Sequence, residues 1–204
     1  MMRVLFIAAA LAWTVAASGP AAARDGLAVT MRAVLYEEDA SNAKGDRAEG
    51  QVTWRIVPTT DAAAPAGDVT IRGEVEVPSR KLRMTLSIRR NFDAALPATH
   101  TVQIDFAPSL DFAGGSINRV MGLLVKANEQ AKGAPIAALS VKIDDRHFLI
   151  GLSAVPQDAS NNSLLIRSRA WMDIPIVYAT QRRAILAVEK DGDVLALFNT
   201  VFAH

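Results

Sequence analysis

Alternating apolar and polar positions predict most of the secondary structure of this chain. Residues 69–77 carry apolar side chains or glycine at every odd position and polar side chains at every even one, and residues 82–89 alternate with the same period. A period of two is typical of strands that bury one face. The segment 78–81 supplies a turn, so the two runs predict an antiparallel hairpin in which Glu76 lies opposite Arg83 on the exposed face.

Shorter runs of the same kind predict further strands at residues 27–36, 51–57, 101–106, 137–143, 148–153, 174–179, 184–189 and 194–201. Residues 144–146 and the pair Asp191-Gly192 provide tight turns between neighbouring strands. Residues 157–169 show helical spacing, and polar or small residues predict loops at 37–50, 59–68 and 108–116. The expected fold is mainly β, an antiparallel sandwich or a closed barrel-like sheet of about ten strands with one short helix.

The first 23 residues have the order of a secretory signal peptide. A basic start at Arg3 precedes an apolar run over residues 4–17, and small residues follow. The alternative interpretation is an uncleaved membrane anchor. A helix that spans a membrane needs about 20 apolar residues, and this run is shorter, which favours the signal peptide. We expect a signal peptide over residues 1–23, cleavage before Arg24, and a single β-rich domain over residues 24–204 that is periplasmic or secreted.

The composition excludes several classes of chemistry. The chain contains no cysteine, which excludes a disulfide, a thiol nucleophile, a cysteine-ligated metal and a lipid anchor on an N-terminal cysteine. Loss of Arg3 with the signal peptide leaves 21 basic and 21 acidic residues. Because nucleic-acid-binding domains usually carry a basic excess, this balance argues against a nucleic-acid partner.

No motif indicates a catalytic or metal site. The three histidines, His100, His147 and His204, are far apart, and the carboxylates beside His147 belong to a turn whose side chains point in different directions. The Gly-x-Ser-x-Gly motif of many serine hydrolases is absent. We therefore predict no metal and no cofactor and favour a non-enzymatic protein. An envelope hydrolase with an unrecognised site in the loop 108–116, which contains Ser116, is an alternative.

Five basic side chains gather on the predicted hairpin, namely Arg80, Lys81, Arg83, Arg89 and Arg90. Arginine binds carboxylates and phosphates through two parallel hydrogen bonds. The cluster therefore predicts a binding site for an anionic envelope polymer, a lipid head group or an envelope protein. The alternative interpretation is a solvated strand face whose charges discourage pairing between sheet edges.

Six short strings are distributed along the chain: RRN at 89–91, LPATH at 96–100, NEQ at 128–130, GLS at 151–153, WMDIP at 171–175 and QRRAIL at 181–186. Together they resemble a family of uncharacterised alphaproteobacterial envelope proteins, in which a similar domain also lies at the end of longer membrane-anchored chains. The resemblance covers most of residues 31–198. It implies an envelope setting and no assigned activity.

The leading prediction is an exported, non-enzymatic β domain that binds or scaffolds a component of the bacterial envelope. A small outer-membrane β-barrel is a further alternative beside the hydrolase, because alternating strands behind a signal peptide are typical of such barrels. Aromatic residues make up only 6% of the chain and do not cluster at strand ends, which argues against the barrel. The ligand, any reaction and the oligomeric state are open at this point.

Overall fold

The computed structural model describes residues 28–202, so the predicted signal peptide and its cleavage position lie outside the described part of the chain. Within that part, 12 antiparallel strands form one curled sheet with the outline of a half-barrel, accompanied by two helices. The predicted mainly β, antiparallel fold is confirmed. All strands belong to a single continuous sheet, so the architecture is nearer to the barrel-like arrangement than to a sandwich.

The strands are β1 Val29–Asp39, β2 Asn42–Pro58, β3 Val69–Val77, β4 Leu82–Arg90, β5 Ala98–Phe106, β6 Ile117–Val120, β7 Leu124–Lys126, β8 Ala134–Pro135, β9 Ala138–Lys142, β10 His147–Ser153, β11 Trp171–Tyr178 and β12 Arg183–Glu189. The helices are α1 Pro156–Ser168 and α2 Asp193–Phe202, and a single 3-10 turn spans Pro78–Arg80. No helix between residues 28 and 202 is long and apolar enough to cross a membrane.

The two ends of the sheet lie close together. It runs β8-β7-β11-β12-β1-β2-β3-β4-β5-β10-β9, and β6 also pairs with β11. The chain thus passes from β8 at one end of the sheet to β9 at the other. Ser140 on β9 donates a hydrogen bond to the carbonyl of Val120 on β6, at 2.8 Å. Because the sheet curls back on itself, it has an inner face and an outer face.

Helices fill the inner face. On β1, Leu35 belongs to the main core, whereas its neighbour Val34 joins a separate cluster on the outer face, as the alternation of strand side chains requires. Phe198 on α2 packs edge-to-face against Trp54 on β2, with ring centroids 5.3 Å apart. Ile166 on α1 is buried in the same core. The inner face is therefore a packed interior.

The β3–β4 hairpin has the register that its sequence predicts. Val77 pairs with Leu82, and Glu76 pairs with Arg83. Arg83 Nη2 lies 3.0 Å from Glu76 Oε1 on the exposed face. Met84 is buried on the inner face. Period-two alternation and the turn residues were sufficient here because both strands are local in sequence.

The last predicted strand is wrong, because residues 194–201 lie in helix α2. Val194, Phe198, Val201 and Phe202 are buried, a spacing of four, three and one that places them on one face of a helix. Asp191-Gly192, predicted as a hairpin turn, leads directly into that helix, and the Val194 amide donates to the Asp191 carbonyl. Apolar and β-branched residues made the segment resemble a strand.

The predicted loop 37–50 is also wrong. Its residues continue β1 and begin β2, which pair as far as Asp39 and Asn42. The distal part of this hairpin, residues 37–46, is called the arm below. Its residues are mostly exposed, so the arm carries polar side chains on both faces and lacks the alternation that marks the other strands.

A buried lysine joins helix α1 to the sheet. Lys190 follows β12, is fully buried, and its ammonium donates to the carbonyls of Ile166 and Arg169 at the end of α1. The ammonium also lies 4.5 Å from the centroid of the Phe198 ring. Burial lowers the pKa of Lys190 from 10.5 to about 7.

Candidate functional site

A groove of about 1060 Å³ opens on the outer face of the sheet, between the arm and the β11–β12 turn. We call it the outer groove. Its floor consists of Tyr36 on β1, Ile185 on β12 and Pro175 on β11, which are neighbours in the register of these three strands. Met121 extends the floor, because its amide donates to the Pro175 carbonyl at 2.9 Å.

The floor is apolar yet accessible to solvent. Met121 is 59% exposed and Ile185 is 39% exposed, which places both among the large hydrophobic side chains that the fold leaves uncovered. Two residues along the strands from Tyr36 and Ile185, the side chains of Val34 and Ala187 form a buried cluster with Trp171 on the outer face. An apolar track therefore runs along the outer face, covered at one end and open at the other.

An ionic network fixes the arm. Arg80 donates to Glu37, whose side chain is buried, and Arg80 Nη2 lies 3.2 Å from Asp46 Oδ2. The Tyr178 hydroxyl donates to Glu37 Oε1 at 2.9 Å. Burial, together with the Glu37 charge, raises the pKa of Tyr178 far above its usual value. Because Arg80 contacts both strands of the arm, it holds one wall of the groove in place.

A second network borders the floor at Tyr36. Glu129 accepts hydrogen bonds from the Tyr36 hydroxyl and from Arg32 and Arg47, at 2.7 and 2.8 Å for the two guanidinium groups. The Glu129 side chain is only 11% exposed. The hydrogen bonds from Tyr36 and Arg47 lower the pKa of Glu129 to about 2. This carboxylate anchors the segment after β7 against the outer face.

The rim of the groove carries cations without carboxylate partners. Lys44 on the arm, and Arg182 and Arg183 at the β11–β12 turn, line the groove and form no ion pair within residues 28–202. The nearby carboxylates are engaged by main-chain donors. Glu38 accepts from the Arg183 amide at 3.1 Å, and Asp39 accepts from the Ser41 amide at 2.8 Å. The hydrogen bonds from Ser41 lower the pKa of Asp39.

The basic residues predicted as a binding site all have acidic partners. The pairs are Arg80 with Glu37 and Asp46, Lys81 with Asp111, Arg83 with Glu76, Arg89 with Asp61, and Arg90 with Asp68. The hairpin therefore presents matched charges rather than a cluster of free cations, and the local basic excess that motivated the prediction is absent. Binding of an anion at these five residues stays a prediction, and the geometry does not favour it.

Neither described histidine forms a hydrogen bond with a serine. His100 lies 3.1 Å from the Val201 carbonyl and stacks on Phe202, and burial lowers its pKa. His147 lies between Asp144, at 2.7 Å, and Asp105, at 3.7 Å. Ser116, from the alternative hydrolase site, has its carbonyl bound by the Ala179 amide. No group of three potential metal ligands from His, Asp and Glu occurs within residues 28–202.

Sequence reasoning missed the outer groove. Its floor unites residues from three strands that are distant in the chain, and its arm had been predicted as a loop. One signal was available, because the apolar residues Pro175 and Ile185 occupy positions of β11 and β12 where alternation would place polar side chains. Apolar residues on both faces of neighbouring strands indicate a second covered or binding surface.

Comparison of the chain with models of protein families, with curated proteins and with solved structures finds no match. The resemblance to alphaproteobacterial envelope proteins therefore stays a prediction, and the geometry of the chain itself is the basis for assigning a function.

Proposed function

We propose that this protein is an exported, non-enzymatic domain that binds a component of the bacterial envelope through the outer groove. The observation that carries the proposal is the exposed apolar floor formed by Tyr36, Ile185, Pro175 and Met121. Clustered exposed apolar surface framed by polar residues marks interaction sites in folded proteins.

The architecture around the floor supports recognition by a preformed surface. Strands β1, β12 and β11 are paired with one another, so their outward side chains occupy fixed positions. Arg80 and the buried Glu37 hold the arm, and Glu129 holds Tyr36 at the border of the floor. A surface that is already ordered loses less conformational entropy on binding, which favours affinity.

Export rests on the predicted signal peptide. We expect a mature N-terminus at Arg24, and an intact-mass measurement on protein from a periplasmic extract checks it. Recovery of the full-length chain from the membrane fraction would favour the uncleaved anchor instead.

The binding surface can be tested by sedimentation with isolated envelope fractions. We expect the wild-type protein to sediment with them and a variant with Ile185→Thr and Met121→Gln to remain in the supernatant. Threonine keeps the β-branched shape at Ile185 while reducing apolar surface. A matched control, Leu139→Thr with Val141→Thr, changes exposed apolar residues on β9 instead and should sediment like the wild type.

The same experiment separates the outer groove from the basic hairpin. A variant with Arg83→Gln and Arg89→Gln should sediment normally if the groove is the binding surface. Loss of sedimentation in this variant, with normal behaviour of the groove variant, would return the binding site to the hairpin and contradict the proposal.

A further inference from the structure

We propose that the occupant of the outer groove is an anionic single-chain amphiphile, with its acyl chain on the apolar floor and its carboxylate or phosphate head at Lys44 and Arg183. This inference rests on the proposed function and names the chemical class of the ligand. It follows from three observations on the pairing of the floor strands, the charges of the rim and the dimensions of the groove.

The floor offers an apolar surface without main-chain hydrogen bonds. β12 pairs with β1 on one side and with β11 on the other, β1 also pairs with β2, and the second edge of β11 is taken by β6 and β7. A peptide laid on this floor would bury amide groups without partners, which costs free energy. It also finds no free strand edge to extend. A methylene chain carries no such groups, so the floor suits an acyl chain.

Two cations at the rim offer donors for a negative head group. Lys44 on the arm and Arg183 at the start of β12 both line the groove, and neither forms an ion pair among the described residues. The carboxylates of Glu37 and Asp46 are occupied by Arg80, and those of Glu38 and Asp39 accept main-chain amides. Glu38 and Asp39 keep their negative charge, but neither forms an ion pair with Lys44 or Arg183, so these two cations are free to bind an anion. Guanidinium binds carboxylate and phosphate in bidentate geometry.

The length of the floor fits an acyl chain. Small-molecule sites commonly have volumes of about 300–1,000 Å³, and the groove measures about 1060 Å³. Neighbouring strands are about 4.8 Å apart, so a floor that crosses β1, β12 and β11 and continues to Met121 extends for about 14 Å. A bilayer surface would need a broad apolar area, whereas this floor is bordered by the arm and by the β11–β12 turn.

Titration calorimetry of the mature chain with fatty acids from octanoate to hexadecanoate, kept below their micelle concentrations, tests the inference. Each added methylene should strengthen binding about fourfold until the chain exceeds the floor, after which affinity should level off. Dodecyl phosphate should bind comparably to dodecanoate, and dodecyltrimethylammonium, with the same tail, at least about tenfold more weakly. Stronger binding of one anionic ligand than of the other would identify a fatty acid or a phosphorylated lipid as the source of the head group.

Two variants test separately where the acyl chain and the head group of the ligand bind. Ile185→Thr should weaken every tail of the series, whereas Arg183→Gln should weaken dodecanoate by about tenfold and leave dodecanol unchanged. Arg83→Gln, outside the groove, should bind like the wild type. Far-ultraviolet circular dichroism of each variant excludes misfolding as the cause of any loss.

Equal affinity for the anionic and cationic amphiphiles, or an affinity that does not depend on chain length or on Ile185, would overturn the assignment. If Ile185 controls sedimentation with envelope fractions while no defined amphiphile binds, the ligand class is wrong and the proposed function stands. If amphiphiles bind as expected but sedimentation does not depend on Ile185, the proposed function is wrong and the ligand class stands.

Discussion

The inner face of the β3–β4 hairpin and the outer face of β1, β12 and β11 both present apolar side chains, but these side chains differ in how far they are buried. On the hairpin, the inward residues are packed in the core and the outward residues are polar, with Glu76 and Arg83 paired. On the other three strands, the outward face includes apolar residues such as Val34, Ala187 and Ile185, and part of that apolar surface is uncovered. The difference shows that apolar side chains on the inner face are buried in the core, whereas those at Ile185 and Met121 remain exposed.

The largest effect should come from the helix that closes the inner face. Phe198→Ala should lower the free energy of unfolding by about 3–5 kcal/mol, because it removes a fully buried ring that packs on Trp54 and on the Lys190 ammonium. Urea denaturation of both proteins measures the difference. A loss below about 1 kcal/mol would show that α2 does not cover the sheet as described.

The sheet itself provides the sharpest test of the comparison. Met84→Ala on the inner face should cost about 2–5 kcal/mol, whereas Ile185→Ala on the outer face should change stability by about 0.5 kcal/mol or less. Denaturation midpoints of the two variants give the answer. Similar costs at both positions would mean that the outer groove contributes to the core.

The buried lysine predicts a dependence of stability on pH. Lys190 has a pKa of about 7 in the folded protein and 10.5 as its ordinary value, so between these limits the unfolded chain binds more protons than the folded one. Stability from this residue should therefore rise as the pH increases from about 7 to 10.5. Lys190→Met should flatten that rise, which denaturant titrations across this range would reveal.

The smallest expected effect belongs to the exposed pair on the hairpin. A double-mutant cycle of Glu76→Ala and Arg83→Ala should give a coupling energy of about 0.2–1 kcal/mol, because solvent screens charges on the outer face. The coupling should decrease at high salt. A value near that of a buried pair would contradict the exposed position of this interaction.

The parts of the fold that the sequence predicted are those that local pattern determines. The register of Glu76 against Arg83 follows from two adjacent runs and one turn. Helix α2 was missed because Val194 and Phe198 fit both a period of two and a helical period until the packing partner Trp54 is known. The arm was missed because a hairpin with two solvated faces lacks alternation.

The candidate site was less predictable because its components are joined only by the tertiary structure. The cations of the hairpin are visible in the sequence, but their partners Asp46, Asp61 and Asp111 come from segments outside it. In the same way, Tyr36 and Ile185 become neighbours only when β1 pairs with β12. Charge clusters in a sequence therefore indicate a binding surface only after their own partners are known.

The pairing of β1 with β12 has a consequence for biosynthesis. Chains are synthesised from the N-terminus, so β1 and β2 can form their hairpin long before β12 exists. The other edge of β1 then carries unpaired amides and carbonyls until β12, more than a hundred residues later, has been made, and such edges promote association between chains. Contacts between distant segments also slow folding. The nascent protein consequently passes through a stage in which the future floor of the groove is an open strand edge that must be kept from other chains.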